Sequence, residues 1–468
     1  MNKSQDSVKT IFIALLSNVV LGNFDMPGGT LDQFVKRRPK NTRLVFLTLK
    51  GFEKRIEPYL EDSSVVLEFV EKVKQPQGLT KFFQFFYSYL IFTDTTRILA
   101  TFGARADVPP AGGNRHLAFL KAFLANTFGR SKFVKTRLVP RLFGFFFRAR
   151  PLRDLFRKYQ PSLVFLPSIA VLGDLELLAE AKRRGIKTVG MASNWDHLNK
   201  YYIPMRADYL LVQNMPMLKE AVELQEYQLG QVFPVGFAQF DAHVNFSNRV
   251  ISKEEFFEKF GIPKNKKLIL FISGAAYALD EPDILKEIIN WIEQNKFGLP
   301  VELMIRPYVI ARDRAAEEAK FGQFRNNPLV VFNSFRRDES KESRNWYLAM
   351  LYYADVIIPI FSTMAIEAAI FDKPTISIGF DGYKKRPFHQ SVTRLEHLTH
   401  FKHVLETGSV KIVRSFDELY QNINRYLHFP EQDRKQRKEL VEKMCYRPDG
   451  KASERIADFV YVQQKKTL

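Results

Sequence analysis

The sequence predicts an α/β protein made of two doubly wound halves. Short apolar runs alternate with helical patterns along most of the chain. One strand–helix–strand unit is legible in full, and the alternation pauses near residue 236 and then restarts. Such alternation is the mark of parallel sheets. At 468 residues the chain suits two or three domains. Hydrophobic residues are 46% and charged residues 26%, ordinary for a globular core.

The first run, "TIFIALLS" (10–17), follows Lys9 and so imitates a short signal peptide. Ser17 and Asn18 interrupt the apolar stretch, and Asp6 sits in the would-be basic region, so the run reads as a first buried strand. The loop after it, "GNFDMPGGTLDQF" (22–34), places Gly28 and Gly29 before Thr30, a helix cap, with Asp25 on the loop and Asp32 a turn into the helix. It is neither a GxGxxG loop nor a P-loop. "RLVFLTL" (43–49), "SLVFLPS" (162–168), "KTVGMAS" (187–193) and "DYLLVQN" (208–214) read as further buried strands. "LGDLELLAEAKRRG" (172–185) is the helix between two of them, ending in basic residues and Gly. "SNWDHLNKYY" (193–202) sets Asp196 and His197 just past a strand end, where either could take a proton from a hydroxyl.

Residues 78–158 break the pattern. From Arg130 to Lys158 there are ten Lys/Arg and one acid, Asp154, interleaved with Phe133, Phe143, Phe145, Phe146, Phe147 and Phe156. This composition suits an amphipathic element lying on anionic lipid. It equally suits a packed helix pair with solvated basic edges.

After "FPVGFAQFDAH" (233–243) the second set of strands begins: "KKLILFIS" (266–273), "PVELMIRPY" (300–308), "PLVVFNS" (328–334), "ADVIIPIF" (354–361) and "PTISIGF" (374–380). In an open parallel sheet, ligands bind beyond the C-terminal strand ends. Ser273 and Gly274 follow the first of these strands, in a small-residue loop that suits the approach of a phosphate or sugar to the backbone and equally suits an ordinary connecting loop. Arg306 ends the second, before Pro307, with a fork suited to a diphosphate. Ser362 and Thr363 open the helix after the fourth, where unpaired N–H groups favour phosphate. Glu367, one turn on, is spaced to accept from a ribose diol, although the same residues also suit an N-cap and a solvated helix acid. Trp346 and Asn333 fall on expected loops within reach of a base.

The net charge is +19, which implies an anionic partner. One cysteine, Cys445, excludes an internal disulfide, and no apolar run reaches the roughly 20 residues of a membrane span. The eight histidines show no metal-ligand spacing, and no nucleophile elbow or kinase set is present.

Together, "ADVIIPIFSTMAIEAAIFDKPTISIGFDG", "MIRPY", "SNWDHLNKYYIPMRADYLLVQNMPMLKEA", "VFPVGFAQFD" and "YRPDGKASERIADFV" resemble the GT-B glycosyltransferases of bacterial surface polysaccharides, near the CDP-glycerol glycerophosphotransferases and nucleotide-sugar 2-epimerases. The resemblance implies two Rossmann-like domains facing a cleft. The expected divisions are 1–245 for the acceptor, 246–448 for the nucleotide donor, and a final helix in 449–468 returning to the first domain. It implies Ser362 and Thr363 as the phosphate turn, Glu367 as the ribose acid and Arg306 on the leaving phosphate, with Asp381 near donor or acceptor. The catalytic base stays open among Asp25, Asp196 and His197: where glycerophosphotransferases carry Trp-His-Gly-Thr, this chain has Trp195-Asp196-His197-Leu198.

The implied activity is metal-independent, cofactor-free transfer of a sugar from a nucleotide-sugar to a lipid-linked or polysaccharide acceptor, at the inner face of the cytoplasmic membrane. The alternatives are a nucleotide-sugar 2-epimerase, a polyol-phosphate transferase, and a basic nucleic-acid-binding protein. Crowding of the basic residues into one insert speaks against the last.

Overall fold

The computed structural model describes residues 8–466, apart from 27, 104, 107–116, 149, 248, 309–313 and 337–339. The chain divides into two compact units. The first comprises 1–93, 119–242 and 445–468, and the second 94–118 and 243–444.

The first unit is built on a seven-stranded parallel sheet of β1 (Lys9–Leu15), β2 (Thr42–Thr48), β3 (Val65–Phe69), β4 (Leu163–Leu166), β5 (Lys187–Met191), β6 (Tyr209–Val212) and β7 (Val232–Pro234). Their spatial order is β3-β2-β1-β4-β5-β6-β7. Residues 11–15 of β1 are almost completely buried, which explains the unbroken apolar run there. Ile11 sits opposite both Leu44 and Leu163, in the middle of the core.

The helix Ala452–Lys465 belongs to this unit. Its first two N–H groups donate to Asp241 at 2.9 and 2.8 Å, so an acid caps its positive end. Ser453 accepts from the Thr30 hydroxyl at 3.2 Å, and Asp458 pairs with Arg37 at 2.7 Å.

The second unit is built on a six-stranded parallel sheet of β8 (Lys267–Ile272), β9 (Val301–Arg306), β10 (Val330–Phe332), β11 (Val356–Pro359), β12 (Thr375–Ile378) and β13 (Val410–Val413). Their order is β10-β9-β8-β11-β12-β13. Counted from its own first strand this is 3-2-1-4-5-6, the doubly wound order, which reverses direction between β8 and β11.

The structure divides the 78–158 insert differently from the sequence reading. The helix Asp94–Phe102 belongs to the second unit. Thr95 and Thr399 exchange hydrogen bonds, each hydroxyl accepting from the other's backbone N–H at 2.9–3.1 Å. Phe102 also meets Phe388 edge-on at 5.3 Å. These polar and aromatic ties override the apparent continuity of a Phe-rich stretch.

The described residues of 78–93 and 119–158 stay in the first unit and form two layers. Phe83 stacks on Phe146 at 4.7 Å, while Phe143 is fully buried. On the outside, Leu79, Phe82, Phe119, Phe123, Phe133 and Phe145 are exposed. Among the described residues no helix is long and apolar enough to cross a membrane.

Candidate functional site

In the second unit, the turns after β8 and β11 flank the point where strand order reverses. Each holds a non-glycine residue in the left-handed region, Ala275 at φ 51° and Phe361 at φ 41°. Such residues cost about 1–3 kcal/mol each and persist where the surroundings fix them, commonly at ligand sites. Here Phe361 N–H is held by the Ser377 hydroxyl at 3.1 Å, and Ala275 N–H by the Ser273 hydroxyl at 2.9 Å.

The first turn is sealed from inside. Glu281, fully buried, accepts from Gly274 N–H at 2.6 Å, from the Ser273 hydroxyl at 3.2 Å and from Lys320 at 2.7 Å. Burial pushes its carboxyl up to about 7, against the opposing pull of Lys320. Gly274 is small because a Cβ there would meet the Ile360 Cβ at 3.1 Å. The structure therefore gives Ser273 and Gly274 an internal role in holding this turn. Ala106 N–H donates to the neighbouring Ala276 carbonyl at 2.7 Å and so braces this turn.

After β11, the Ser362 hydroxyl accepts from Met364 N–H at 3.3 Å, and Thr363 starts a helix of seven residues, Met364–Ile370, without capping it through its side chain. Both residues are partly exposed.

Glu367 lies in this helix and is 3% exposed. It is not the solvated helix acid that one reading of the sequence allowed. Its Oε2 accepts from Tyr347 Oη at 2.7 Å and lies 2.7 Å from His243 Nε2. Arg306, at the end of β9, stacks its guanidinium over the Tyr347 ring at 5.1 Å and donates to the Phe335 carbonyl at 3.4 Å. Arg306 and Glu367 are thus joined through Tyr347, and the linking residues Tyr347 and His243 were not picked out from the sequence.

Trp346 lies in the helix Lys341–Tyr353, not on a loop, and stacks near Phe335 at 6.0 Å. Asn333 is fully buried just after β10. A cavity of about 550 Å³ opens beyond β9 and β10, lined by Tyr308, Arg314, Arg325, Ser334, Phe335 and Arg336.

Asp381 accepts from Val392 N–H at 2.8 Å and so fixes the loop after β12. Beside it Arg394 is fully buried, donating to the Ser391 carbonyl at 2.6 Å and to the Tyr277 carbonyl at 3.3 Å. Burial lowers the Arg394 pKa, partly offset by Asp381.

The first unit treats its three candidate bases differently. Asp25 forms an ion pair with Arg55 at 2.5 Å, just after the short helix Asn18–Phe24, where the sequence predicts the end of the first strand and the start of the loop 22–34. Asp196 pairs with Lys200 at 3.5 Å. His197 lines a pocket of about 470 Å³ with Tyr89, Lys81, Lys200 and Tyr201.

Burial lowers the His197 pKa, with Asp196 opposing, so the ring is neutral at pH 7. Its Nδ1 lies 3.3 Å from the Ser193 hydroxyl, which lies 3.2 Å from the Ser168 hydroxyl. Ser168 N–H in turn donates to Asp174 at 2.8 Å. By contrast, the point of strand reversal between β1 and β4 is nearly filled, with about 10 Å³ left beside Asn23, Pro167 and Gln213.

Asp174 is completely buried, and burial raises its carboxyl to about 7, only partly opposed by the Ser168 N–H. A folded-state value above the unfolded one means that stability is lost as pH rises from about 4 to about 7. Asp174→Asn keeps an acceptor for Ser168 and removes that loss. Urea unfolding at pH 5 and pH 8 is expected to show a gain at pH 8 of up to ~4 kcal/mol, smaller at pH 5.

MnaA of S. aureus, solved with UDP, matches at 12% identity over 97% of each chain with a TM-score of 0.54. The UDP-GlcNAc 2-epimerase of Neisseria meningitidis, bound to UDP-GlcNAc, matches at 12% identity over 97% of this chain and 100% of its own, with a TM-score of 0.53. A putative UDP-N-acetylglucosamine 2-epimerase from Listeria monocytogenes gives 10% identity over 98% and 97%, with a TM-score of 0.55. The chain has the GT-B fold. Within its second unit and the final helix, residues 340–462 match the family described as CDP-glycerol:poly(glycerophosphate) glycerophosphotransferase. No curated protein matches by sequence. On the GT-B scaffold, that 123-residue segment carries Tyr347, Ser362, Thr363, Glu367, Asp381 and Arg394.

Proposed function

We propose that the protein is a transferase that uses a nucleotide-activated donor. Its second unit holds the nucleotide and its first unit the acceptor. The observation that carries this reading is the family match over 340–462, most of which falls on the unit with two strained turns at its strand reversal. The first reading of the group moved is a sugar, taken from a nucleotide-sugar to a lipid-linked or cell-surface polysaccharide hydroxyl. The sugar–phosphate bond breaks, the acceptor oxygen bonds to the sugar carbon, the acceptor proton passes to His197, and a nucleoside diphosphate leaves. Ser362, Thr363 and Arg306 would meet the departing phosphate, and Glu367 the ribose, without a metal. Asp381 would act indirectly, by fixing the loop that holds Arg394.

The family match itself favours a second reading, transfer of a polyol phosphate from a CDP-polyol. The two differ in what they release. Glycosyl transfer frees a nucleoside diphosphate, and polyol-phosphate transfer frees CMP. The first experiment is a thermal-shift screen with UDP, CDP, GDP, ADP and CMP in EDTA, followed by product analysis with the matching activated donor. A ligand at 100 times its Kd stabilises by about 2.7 kcal/mol. No shift with any nucleotide rejects the proposal. Turnover of a free nucleotide-sugar without acceptor would instead indicate an epimerase.

The reading includes work at an anionic membrane surface. Its support is the exposed Phe82, Phe119 and Phe145 on an insert rich in exposed Lys and Arg. Replacing these three Phe by Ser is expected to weaken binding to phosphatidylglycerol vesicles at least ~100-fold, measured by flotation. Unchanged binding would remove the membrane from the reading.

A further inference from the structure

We infer that Lys320 is a positioning residue of the second unit, holding the turn after β8 and the loop after β9 in the arrangement that accepts the nucleotide. The inference rests on the reading of this unit as the nucleotide holder. Lys320 lies in the helix Arg314–Phe321, which follows β9, and its side chain is 13% exposed.

An ammonium group has three N–H donors, and Lys320 directs all three into the protein. They reach the Ala275 carbonyl, the Ala278 carbonyl at 2.7 Å and Glu281 Oε2 at 2.7 Å. Lys320 therefore acts on a ligand only through the groups it holds. The two carbonyls bracket the single helical turn Ala275–Tyr277. Carbonyls at the end of such a turn lack partners within it, and a lysine is a ready donor to them. These bonds bear on Ala275, whose φ of 51° persists only where its surroundings fix it.

The third acceptor, Glu281, is the acid that takes Gly274 N–H and the Ser273 hydroxyl. The turn is thus gripped through both its carbonyl and its N–H groups. Lys320 also lies 3.6 Å from Glu317 Oε1, and Glu317 Oε2 accepts from Tyr308 N–H at 2.6 Å. Tyr308 comes two residues after Arg306, the residue proposed for the departing phosphate. One ammonium group ties the strained turn at the strand reversal to the loop that follows Arg306.

Stability alone is a weak account of this cluster. Buried charges cost desolvation, and apolar side chains of similar volume often hold a core as well or better. The charged cluster instead fixes the direction of four backbone groups, those of Gly274, Ala275, Ala278 and Tyr308.

The test measures, by calorimetry on the full chain, the Kd of whichever of UDP, CDP, GDP, ADP and CMP stabilises the wild type. Lys320→Met keeps most of the stem, removes the donors, and is expected to raise Kd about 10-fold. Glu281→Gln is milder, because it keeps an acceptor for Gly274 N–H. It is expected to raise Kd about 3-fold, and it carries the test where Lys320→Met does not fold. Lys266→Met is the matched control, since Lys266 pairs with buried Glu302 at 2.6 Å at the other end of β8 and β9. It is expected to lower stability and leave Kd unchanged. Amide hydrogen exchange in the nucleotide-free chain gives a second readout. Gly274, Ala275 and Tyr308 should exchange faster in Lys320→Met, and residues 268–272 of β8 at the wild-type rate.

Three results overturn the inference while leaving the transferase reading intact, all with normal binding by the wild type. An unchanged Kd in the variant tested is one. An equal rise in Lys266→Met is another, since the effect would then follow stability. The third is weaker binding with unchanged exchange at Gly274, Ala275 and Tyr308, which would place Lys320 against the nucleotide itself. No binding by the wild type rejects the transferase reading and this role with it.

Discussion

Replacing His197 by alanine is expected to lower kcat by about 10²–10⁴-fold while leaving nucleotide-induced stabilisation unchanged. A base must be neutral, within reach of the acceptor and held in one tautomer. Burial lowers the His197 pKa below its ordinary value, so the ring is unprotonated at pH 7. It lines the pocket of about 470 Å³ in the unit proposed for the acceptor. Its Nδ1 faces the Ser193 hydroxyl at 3.3 Å, which leaves Nε2 as the nitrogen to take the proton.

The other two candidates are occupied by cations. Asp196 faces Lys200 and Asp25 faces Arg55. Asp196→Asn should therefore cost much less than His197→Ala. The pH profile follows with its sign. Activity needs the neutral ring, so kcat/KM should hold from pH 7 upward and fall as pH drops through the lowered His197 pKa, below pH 6.5. Full activity in His197→Ala, or a profile with no acid limb, would move the role elsewhere.

What the sequence reveals here follows burial. Central strands such as β1, β4, β8 and β11 are enclosed on both faces, so each reads as a continuous apolar run. The strands missed from the sequence are β3, β7 and β13, all sheet edges. β3 is mostly half-buried, β7 has three residues, and β13 carries Lys411, so none shows an unbroken run.

The site follows a similar rule. Arg306, Ser362 and Glu367 are legible because strand ends and helix starts leave local signals. Their partners are not. His243 lies 124 residues from Glu367 in sequence, and Lys320 lies 39 residues from Glu281. Only folding brings such pairs together. The internal use of Ser273 and Gly274 was hidden for the same reason, since the acid that holds them comes seven to eight residues later, inside the next helix.

Glu367→Ala is expected to destabilise the second unit by about 3–5 kcal/mol, lowering its unfolding temperature by on the order of 10 °C. The spacing of Glu367 suggested a ligand contact whose loss would leave folding intact. The structure gives it a heavier structural load. The carboxylate is 3% exposed and holds Tyr347 from one helix and His243 from another segment. Alanine removes the buried acceptor that Tyr347 and His243 share, and the loss of a buried hydrogen-bond partner is costly.

Glu367→Gln separates this load from ligand binding. The amide oxygen can still accept from Tyr347, so the loss of stability should be clearly smaller than for alanine. A ribose diol, however, bonds more strongly to a carboxylate than to a neutral amide, since charge-assisted bonds are about twice as strong. If Glu367 also serves the nucleotide, the glutamine variant should lose most of the nucleotide-induced shift while keeping most of its stability. A folded glutamine variant that retains the full shift would confine Glu367 to the Tyr347–His243 network. A fully stable alanine variant would show that the network does not hold the unit together.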